Sequence, residues 1–597
     1  MKLILDPSRG DVEDDASSTK SRSLLAIAGT LFAEISLPKL AVAWILLIVL
    51  PGLLMGTAPL ISSAWLSKMS RTIADLSTGI WPLLLVVILA AVGWFGGRRL
   101  SRAVEQVFWA LNAMAVQPLY ALTRESLRHI SELLLGRNSA ERLVALRAAS
   151  AFGAGVILCG VALWLAMMAW PYSRWVGDFS SLMSPRSLII PALANTTIIL
   201  SCYVAVAALV WGIADGSMHQ PRDISAFDKA PASSQRWRVA LLSDLHIVGE
   251  RYGFRIESGR AGPRGNERLV RVLDRLDAIH AENPLDHILI TGDITDAGRS
   301  AEWSEFIIAL SRYPGLAART VLLPGNHDIN IVDRANPARF ELPINPHMRL
   351  REMRALSGMV GVQADRVFVV DRATNLTSGT LAQALASKAD DIATFADTGT
   401  IWLSSKLAAV WAESFPMILP PNTDDGLGIM LLNSTAETHF SFTNALGLVS
   451  SEQVRSMKGV ARQYPNAYWI VALHHHLVEY PKPAKSFSER IGTSLINGSW
   501  LVRQLQGLGR RAVVMHGHRH IDWVGQCGNL RIVSAPSPVM EATDDQPTYF
   551  HIHTLAADAD RNLLLLPPER IDISGTELLP GAPASDQLTA RPSRDAA

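Results

Sequence analysis

Residues 510–522 read RRAVVMHGHRHID: an apolar run, AVVM, breaks directly into three histidines, His516, His518 and His520, within five positions. Histidine is scarce in this chain, 16 of 597 residues, so the concentration points to chemistry at this spot. Working outward, the same construction recurs. WRVALLSDLHI (237–247), DHILITGDITD (286–296), TVLLPGNHDIN (320–330) and YWIVALHHHLVEYP (468–481) each run from an apolar stretch into Asp, Asn or His. Between the first two lies NERLVRVLDRLDAIHAE (266–282), whose apolar residues recur at helical spacing. Short apolar strands alternating with amphipathic helices predict an α/β domain, which we place at 236–575. In open α/β sheets ligands sit beyond the carboxyl ends of strands, so five polar clusters at five strand ends can converge on one site.

The residue types in those clusters point to a metal. Imidazole and carboxylate together, without thiolate, suit hard or borderline divalent ions such as Mn, Fe or Zn. The three cysteines, Cys159, Cys202 and Cys527, lie far apart, which excludes a disulfide framework and a CxxC knuckle. A lone histidine is ordinarily a packed or surface residue, and His280 and His439 are read that way. The ordered set Asp-x-His, Gly-Asp-x-x-Asp, Gly-Asn-His-Asp, His-His and Gly-His-x-His is a far more specific signal than any of its members. The net charge of +1 gives no reason to expect a nucleic-acid partner.

The amino-terminal third has a different character. The mean hydropathy of the whole chain is +0.19, with only 18% charged residues, and the apolar excess is concentrated. Stretches 40–67, 76–97, 148–173 and 187–214 contain no Asp, Glu, Lys or Arg. Each is long enough to cross a hydrocarbon core of about 30 Å, which needs about 20 residues. Trp94, Trp170, Tyr172 and Trp211 near their ends suit interfacial belts. Residues 40–214 are therefore expected to form an all-α membrane region with four transmembrane helices, after a segment 1–39. The loop 98–147 carries Arg98, Arg99, Arg102, Arg124, Arg128, Arg137, Arg142 and Arg147, which places it, and both termini, in the cytoplasm by the positive-inside rule. The uncharged stretch 106–123 is read as interfacial or re-entrant; as a fifth span it would reverse the orientation of everything after it. Residues 215–235 read as a linker, and 576–597 as a disordered tail.

The set DLH (Asp244, His246), GDITD (Asp293, Asp296), GNHD (Asn326, His327, Asp328), HHH (His474, His475, His476) and GHRH (His518, His520) resembles the calcineurin-like metallophosphoesterases. The resemblance covers roughly 236–550 and is greatest to the cyclic-nucleotide phosphodiesterase type. GIMLLNSTAETHFSFTNALGLVSSEQV (428–454) is similar to that group's strand and Gly-x-Leu-x-x-Glu-Gln turn, although Asn433-Ser434 stands where Asp-Ser is usual. The resemblance implies a four-layer α/β/β/α sandwich around two divalent metal ions. It implies Asp244, His246, Asp293 and His520 as ligands of one metal. Asp293, Asn326, one histidine of the HHH run (alignment favours His474) and His518 are implied for the other, with Asp293 bridging. His476 and His516 are read as supporting the ligands from behind or simply as local structure.

The physical need for such a centre stands apart from any family. A phosphodiester is anionic and repels nucleophiles; two cations about 3.5–4 Å apart neutralise the phosphoryl oxygens and orient in-line attack. His327, beside the ligand Asn326, is placed to protonate the leaving group. Asp296, three residues past the bridge, is placed to pair with His327 and raise its pKa. Gly292, Gly325 and Gly517 are expected to permit tight turns beside the metals. The segment 331–430, between two motifs, is expected to wall and select the substrate. These readings predict a phosphodiester hydrolase on the cytoplasmic face of a bilayer. Cyclic nucleotides lead as substrate; a lipid pyrophosphate or phospholipid headgroup is the second enzymatic reading, and a receptor using the fold only for binding is the third.

Overall fold

The computed structural model describes mainly residues 49–75, 116–135, 140–177, 185–249, 266–333, 339–439, 441–481, 495–540 and 547–573. Four long helices open the chain: α1 (Leu50–Asp75), α2 (Gln117–Leu135), α3 (Ala140–Ala169) and α4 (Pro185–Gly216). Among the described residues only Val144–Tyr172 and Ser187–Gly216 are long and apolar enough to cross a membrane, with mean hydropathies of 2.1 and 2.2. Two of the four expected spans are thus candidates here. α1 is not among them; the part of the first expected span upstream of α1 falls largely, and the span at 76–97 wholly, outside the described residues. The segment 1–39 and the tail 576–597 also lie outside them.

α3 and α4 pack along each other through small residues. A Cβ on Gly155 would fall 2.7 Å from Ala208 O, and one on Gly212 3.0 Å from Ala151 O, so only glycine allows the backbones to approach this closely. Large apolar side chains, among them Val156, Trp164, Met168, Ile190, Val206 and Ile213, point away from the protein. The buried Asn195 in α4 donates to Gly56 O (3.0 Å) and Arg174 O, tying α4 to α1. Residues 106–111 and 113–115 of the stretch read as interfacial or re-entrant lie outside the described residues, and its end belongs to α2. α2 begins at Gln117 and runs through Arg124, Glu125, Arg128 and Glu132, whose charges pair with each other and with Asp215 at the end of α4.

Two mixed sheets follow. The larger has the order β1-β11-β12-β10-β9-β8-β7-β5-β6, built from β1 (Arg222–Asp223), β5 (Phe368–Asp371), β6 (Leu376–Thr380), β7 (Met417–Leu419), β8 (Leu427–Leu431), β9 (Tyr468–Ala472), β10 (Ala512–His516), β11 (Trp523–Cys527) and β12 (Leu530–Ser534). The smaller has the order β14-β13-β2-β3-β4, from β2 (Arg236–Leu242), β3 (His287–Ile290), β4 (Thr320–Leu322), β13 (Thr548–Ala557) and β14 (Leu563–Leu565), with β15 (Glu569–Ile573) beside β13. β8, β9, β10 and β12 are mutually parallel, as are β2, β3 and β4.

Strand alternation fixes the layers. Ile429, Leu431, Ile470, Ala472, Val513 and Met515 enter the core shared with β2–β4, whereas Met430, Trp469, Val471 and Val514 face a second core. That second core is covered by α11 (Ser451–Gln463) and α12 (Gly498–Gln506), following the helices introduced next in chain order. On the smaller sheet, α5 (Glu267–Glu282) buries Leu269, Val272, Leu273, Leu276 and Ile279, and α6 (Ser300–Ser311) adds Trp303 and Phe306. α7 (His347–Gln363) is buried along nearly its whole length. α8 (Leu381–Ala386), α9 (Ala389–Thr398) and α10 (Ile401–Glu413) follow it.

Two sequence expectations change here. Most of 331–430 is not a lid: α7 enters the core and β5–β7 extend the larger sheet at one edge. FVVD and LTSGT are too short and too mixed in polarity to announce edge strands. Nor is 215–235 a loose linker. β1 pairs with β11, and Asp228 engages the Arg531 guanidinium and Leu565 N. A two-residue edge strand needs only backbone donors and acceptors, so no side-chain pattern betrays it.

Candidate metal centre

The five motifs all follow parallel strands at the same end of the two sheets. After β2 come Asp244 and His246, after β3 Asp293, after β4 Asn326, after β9 His474, and after β10 His518 and His520. Backbone hydrogen bonds zip neighbouring loops together: Asp244 N donates to Gly292 O (3.0 Å), His246 N to Asp293 O (3.0 Å), and Gly517 N to His474 O (3.1 Å). His518 N reaches Asp244 Oδ2 (3.0 Å), joining the loops of the two sheets.

The side chains gather into neighbouring groups linked through the Asp293 carboxylate. Asp244, His246 and His520 each bring a ligand atom to one place, and Asp293, His474 and His518 to the next. Asp293 Oδ2 lies 3.8 Å from His246 Nε2 and 3.3 Å from His474 Nε2, between the two groups. Asn326 Oδ1 lies 3.1 Å from His474 Nε2, beside the second group. All seven residues expected as ligands are therefore in one cluster. His475 is turned aside: its Nδ1 meets Ser434 Oγ (3.0 Å), leaving His474 as the member of the run that faces Asp293. His516 bonds its own neighbour's carbonyl, Gly517 O, and His476 approaches Glu479.

The donor set fits a pair of hard or borderline cations. Carboxylate, amide and imidazole atoms converge: Asp244 Oδ1 faces His520 Nε2 at 3.4 Å, and among the described residues the buried Asn326 Nδ2 has no hydrogen-bond partner. The backbone is distorted to bring them together. Of eight non-glycine residues with positive φ among those described, five are Asp244 (55°), His246 (45°), Asp293 (48°), His518 (78°) and His520 (51°). Such conformations cost about 1–3 kcal/mol each and persist where the surroundings enforce them.

The local electrostatics follow from burial and from the carboxylates. Burial alone would raise the Asp293 pKa, but His474 and His327 beside it hold it well below the usual carboxylate range. Burial opposes protonation of His474, yet Asp293 raises its pKa overall. Desolvation, with His475 and His474 beside it, pushes the half-buried His518 well below the ordinary imidazole value, so it offers a neutral, ligand-ready ring. Glu302, pushed up to about 8 by burial and by Asp296, caps the Asp296 loop by accepting from Ala297 N and Arg299 N.

Asp296 and His327 are both in the centre and in contact, and Asp296 helps to raise the His327 pKa. The Asp296 carboxylate faces His246 (Oδ1 to Nδ1, 3.4 Å), and it is the backbone carbonyl of Asp296 that meets His327 Nδ1 (2.8 Å). His327 also shares a potential ligand cluster with His246 and Asp293. Of the three glycines, only Gly292 has a positive φ (97°); Gly325 is needed for space, since a Cβ there would fall 2.1 Å from Asp293 Oδ1.

Two supporting residues were quoted within motifs without being given a role. Asp328, the last residue of GNHD, accepts from Thr295 N, Thr295 Oγ1, Ile294 N and Gly325 N, and so locks the β3 and β4 loops together. Ser434 Oγ accepts from the backbone N–H of both His474 and His475 (3.1 Å each), fixing the histidine run. A carboxylate one step past a ligand asparagine was the available signal for the first; nothing marked the second beyond its place in the quoted segment.

Among solved structures, the chain is similar to a Staphylococcus aureus protein described as a 5′-nucleotidase (11% identity, TM-score 0.32), over 57% of this chain and 55% of that one. It is similar to a dimetal phosphatase from Danio rerio (11% identity, TM-score 0.34), over 57% of this chain and 99% of that one. It is also similar to a purple acid phosphatase from yellow lupin seeds (14% identity, TM-score 0.28), over 58% and 55% of the two chains. The chain thus spans about half the length of the first of these, 55%. Overlaps this slight carry no argument about activity. No curated protein matches the sequence. The family model described as calcineurin-like phosphoesterase matches residues 238–390, which contain the DLH, GDITD and GNHD motifs, while the fold brings the two later histidine motifs to the same place. Over residues 238–390 the chain is thus similar to the calcineurin-like phosphoesterases.

Proposed function

We propose that this chain is a membrane-anchored phosphoesterase that hydrolyses phosphodiesters, with Asp244, His246, Asp293 and His520 holding one divalent cation and Asp293, Asn326, His474 and His518 a second. The observation that carries the reading is the Asp293 carboxylate lying between two Asp/His groups. Two cations there would supply Lewis-acid charge for the phosphoryl oxygens and a more acidic attacking water. The protein's own part is to fix the ligands before substrate arrives, through Asp328, Ser434 and the hydrogen-bonded strand-end loops, and to place His327 at the edge of the cluster. Cyclic nucleotides are the leading substrates. A lipid phosphoester is the second reading, favoured by the packing of the loop after β9 on the apolar helices.

The full chain in detergent or nanodiscs, stripped with chelator and reloaded separately with Mn, Fe, Zn or Mg, should hydrolyse bis(p-nitrophenyl) phosphate only after reloading. It should turn over cyclic nucleotides faster than phospholipid vesicles; the opposite ranking would favour the lipid reading. Absence of turnover with every metal would leave the fold as a binding module.

Anchoring has its own test. Because α3 and α4 form a hairpin of two candidate spans, reporters fused after Asp215 and within 174–186 should report opposite sides of the membrane, the former cytoplasmic. Both on the same side would remove the spanning pair.

A further inference from the structure

The helical region does more than lie beside the hydrolase domain. Arg147, at the start of the apolar helix α3, sends its Nη2 to two carbonyls of the loop after β9, Tyr480 O (2.9 Å) and Pro481 O (3.1 Å), 333 residues away in sequence. The Gln117 amide of α2, oriented to donate, reaches Ile496 O (3.1 Å) where the chain re-enters α12. Trp500 of α12 packs on the cluster of Val116, Tyr120 and Trp211 from the helical region. Both ends of the segment between β9 and α12 are therefore fastened to α2, α3 and α4.

That segment follows the candidate ligand His474 and leads through side-chain contacts back to another candidate ligand, His518. The His476 ring stacks on His518 (5.9 Å between centroids, planes 10° apart) and on Tyr480 (6.0 Å). Glu479 sits 3.4 Å from His476 and 3.5 Å from Arg519, the residue between His518 and His520. Arg519 in turn lies over the Tyr480 ring at 5.5 Å. Whatever fixes Tyr480 and Pro481 fixes the packing against His518.

We propose that the apolar helix pair is a positioning element of the metal centre: Arg147 holds the 474–481 loop so that His476, Glu479 and Tyr480 keep His518 in its ligand geometry. Arg147 is a positioning residue, acting through the loop and never touching substrate. The inference rests on the metal-centre reading above. It predicts that a change in the helices is felt first as weaker metal binding. Residues that orient metal ligands from outside typically matter by about 10–100-fold in affinity.

The test uses full-length protein in nanodiscs and Mn²⁺ alone as probe. Metal affinity is measured by equilibrium dialysis, and amide exchange of residues 474–480 is measured on the metal-free protein. Arg147→Met should weaken Mn²⁺ binding by about tenfold or more and speed exchange in that loop, with Arg147→Lys restoring most of both because an ammonium still donates to the two carbonyls. Gln117→Leu should give a smaller change of the same kind, and it decides alone if Arg147→Met does not fold. Thr197→Val, whose hydroxyl bonds only within α4, should match wild type. Unchanged loop exchange, or faster exchange with wild-type Mn²⁺ affinity, overturns the inference. A wild-type protein that binds no Mn²⁺ overturns the metal-centre reading first and this one with it.

Discussion

Replacing Asp293 with asparagine should leave a folded protein that has lost most of its bound metal and nearly all of its turnover. The side chain is almost fully buried, and its Oδ2 faces His246 on one side and His474 on the other, while Oδ1 accepts from His327 N at 2.9 Å. An amide keeps the shape and one acceptor oxygen, so the His327 contact can survive. What it loses is the charge and the second oxygen needed to join two cations. Forfeiting about 4 kcal/mol of transition-state charge stabilisation corresponds to a loss of about 10³-fold in rate. Metal content by elemental analysis should fall from about two ions per chain toward one or none, with the circular-dichroism spectrum unchanged. In the metal-free protein the neighbouring histidines stabilise the Asp293 carboxylate, so the apo variant should lose some stability at neutral pH while keeping its fold. A variant with wild-type metal stoichiometry and rate would take Asp293 out of the centre and leave the two-group arrangement without its link.

The site was far more legible in the sequence than the architecture that carries it. Each motif is local: an apolar strand followed within a few residues by the ligands, and the strand-end rule then places five such motifs together without knowledge of strand order. The choice between His474 and His475 needed the fold, because adjacent residues leaving a strand point in different directions and only the Ser434 contact shows which one turns away. The partner of Asp296 needed it too. Spacing puts Asp296 near His327 but cannot say that a carbonyl, not the carboxylate, makes the contact.

Pairings between distant segments left no periodicity to read. The pairings of β5 with β7 and of β1 with β11 are set by backbone partners far away in the chain. The arginines of 98–147 were counted as a topological signal, and the count is blind to partners. Arg124 is bound to Asp215, and Arg147 to a loop of the hydrolase domain. The helix pair was legible as apolar but not as a neighbour of the metal centre, since nothing in an uncharged stretch encodes what its charged end will touch.

His327→Ala should slow a diester with an alkoxide leaving group by roughly 10²–10⁴-fold, the usual contribution of a positioned general acid. A nitrophenyl diester should slow much less, because its leaving group hardly needs a proton. The geometry sets up this contrast. His327 Nδ1 lies 2.8 Å from a backbone carbonyl, which can only accept, so Nδ1 carries a proton and the second proton of an imidazolium resides on Nε2. Burial disfavours that imidazolium, but Asp293 and Asp296 nearby raise its pKa overall. Asp296→Asn keeps the carbonyl and removes the carboxylate that faces His246. Because that carboxylate also helps to raise the His327 pKa, the substitution should weaken metal binding and reproduce part of the leaving-group dependence of His327→Ala. Two other outcomes reassign the residue. Equal losses on both substrates with two metals retained would make His327 electrostatic support for the phosphoryl oxygens. Loss of metal with His327→Ala would make it a ligand, a role its clustering with His246 and Asp293 also allows, and the proton donor would then have to come from solvent or another side chain.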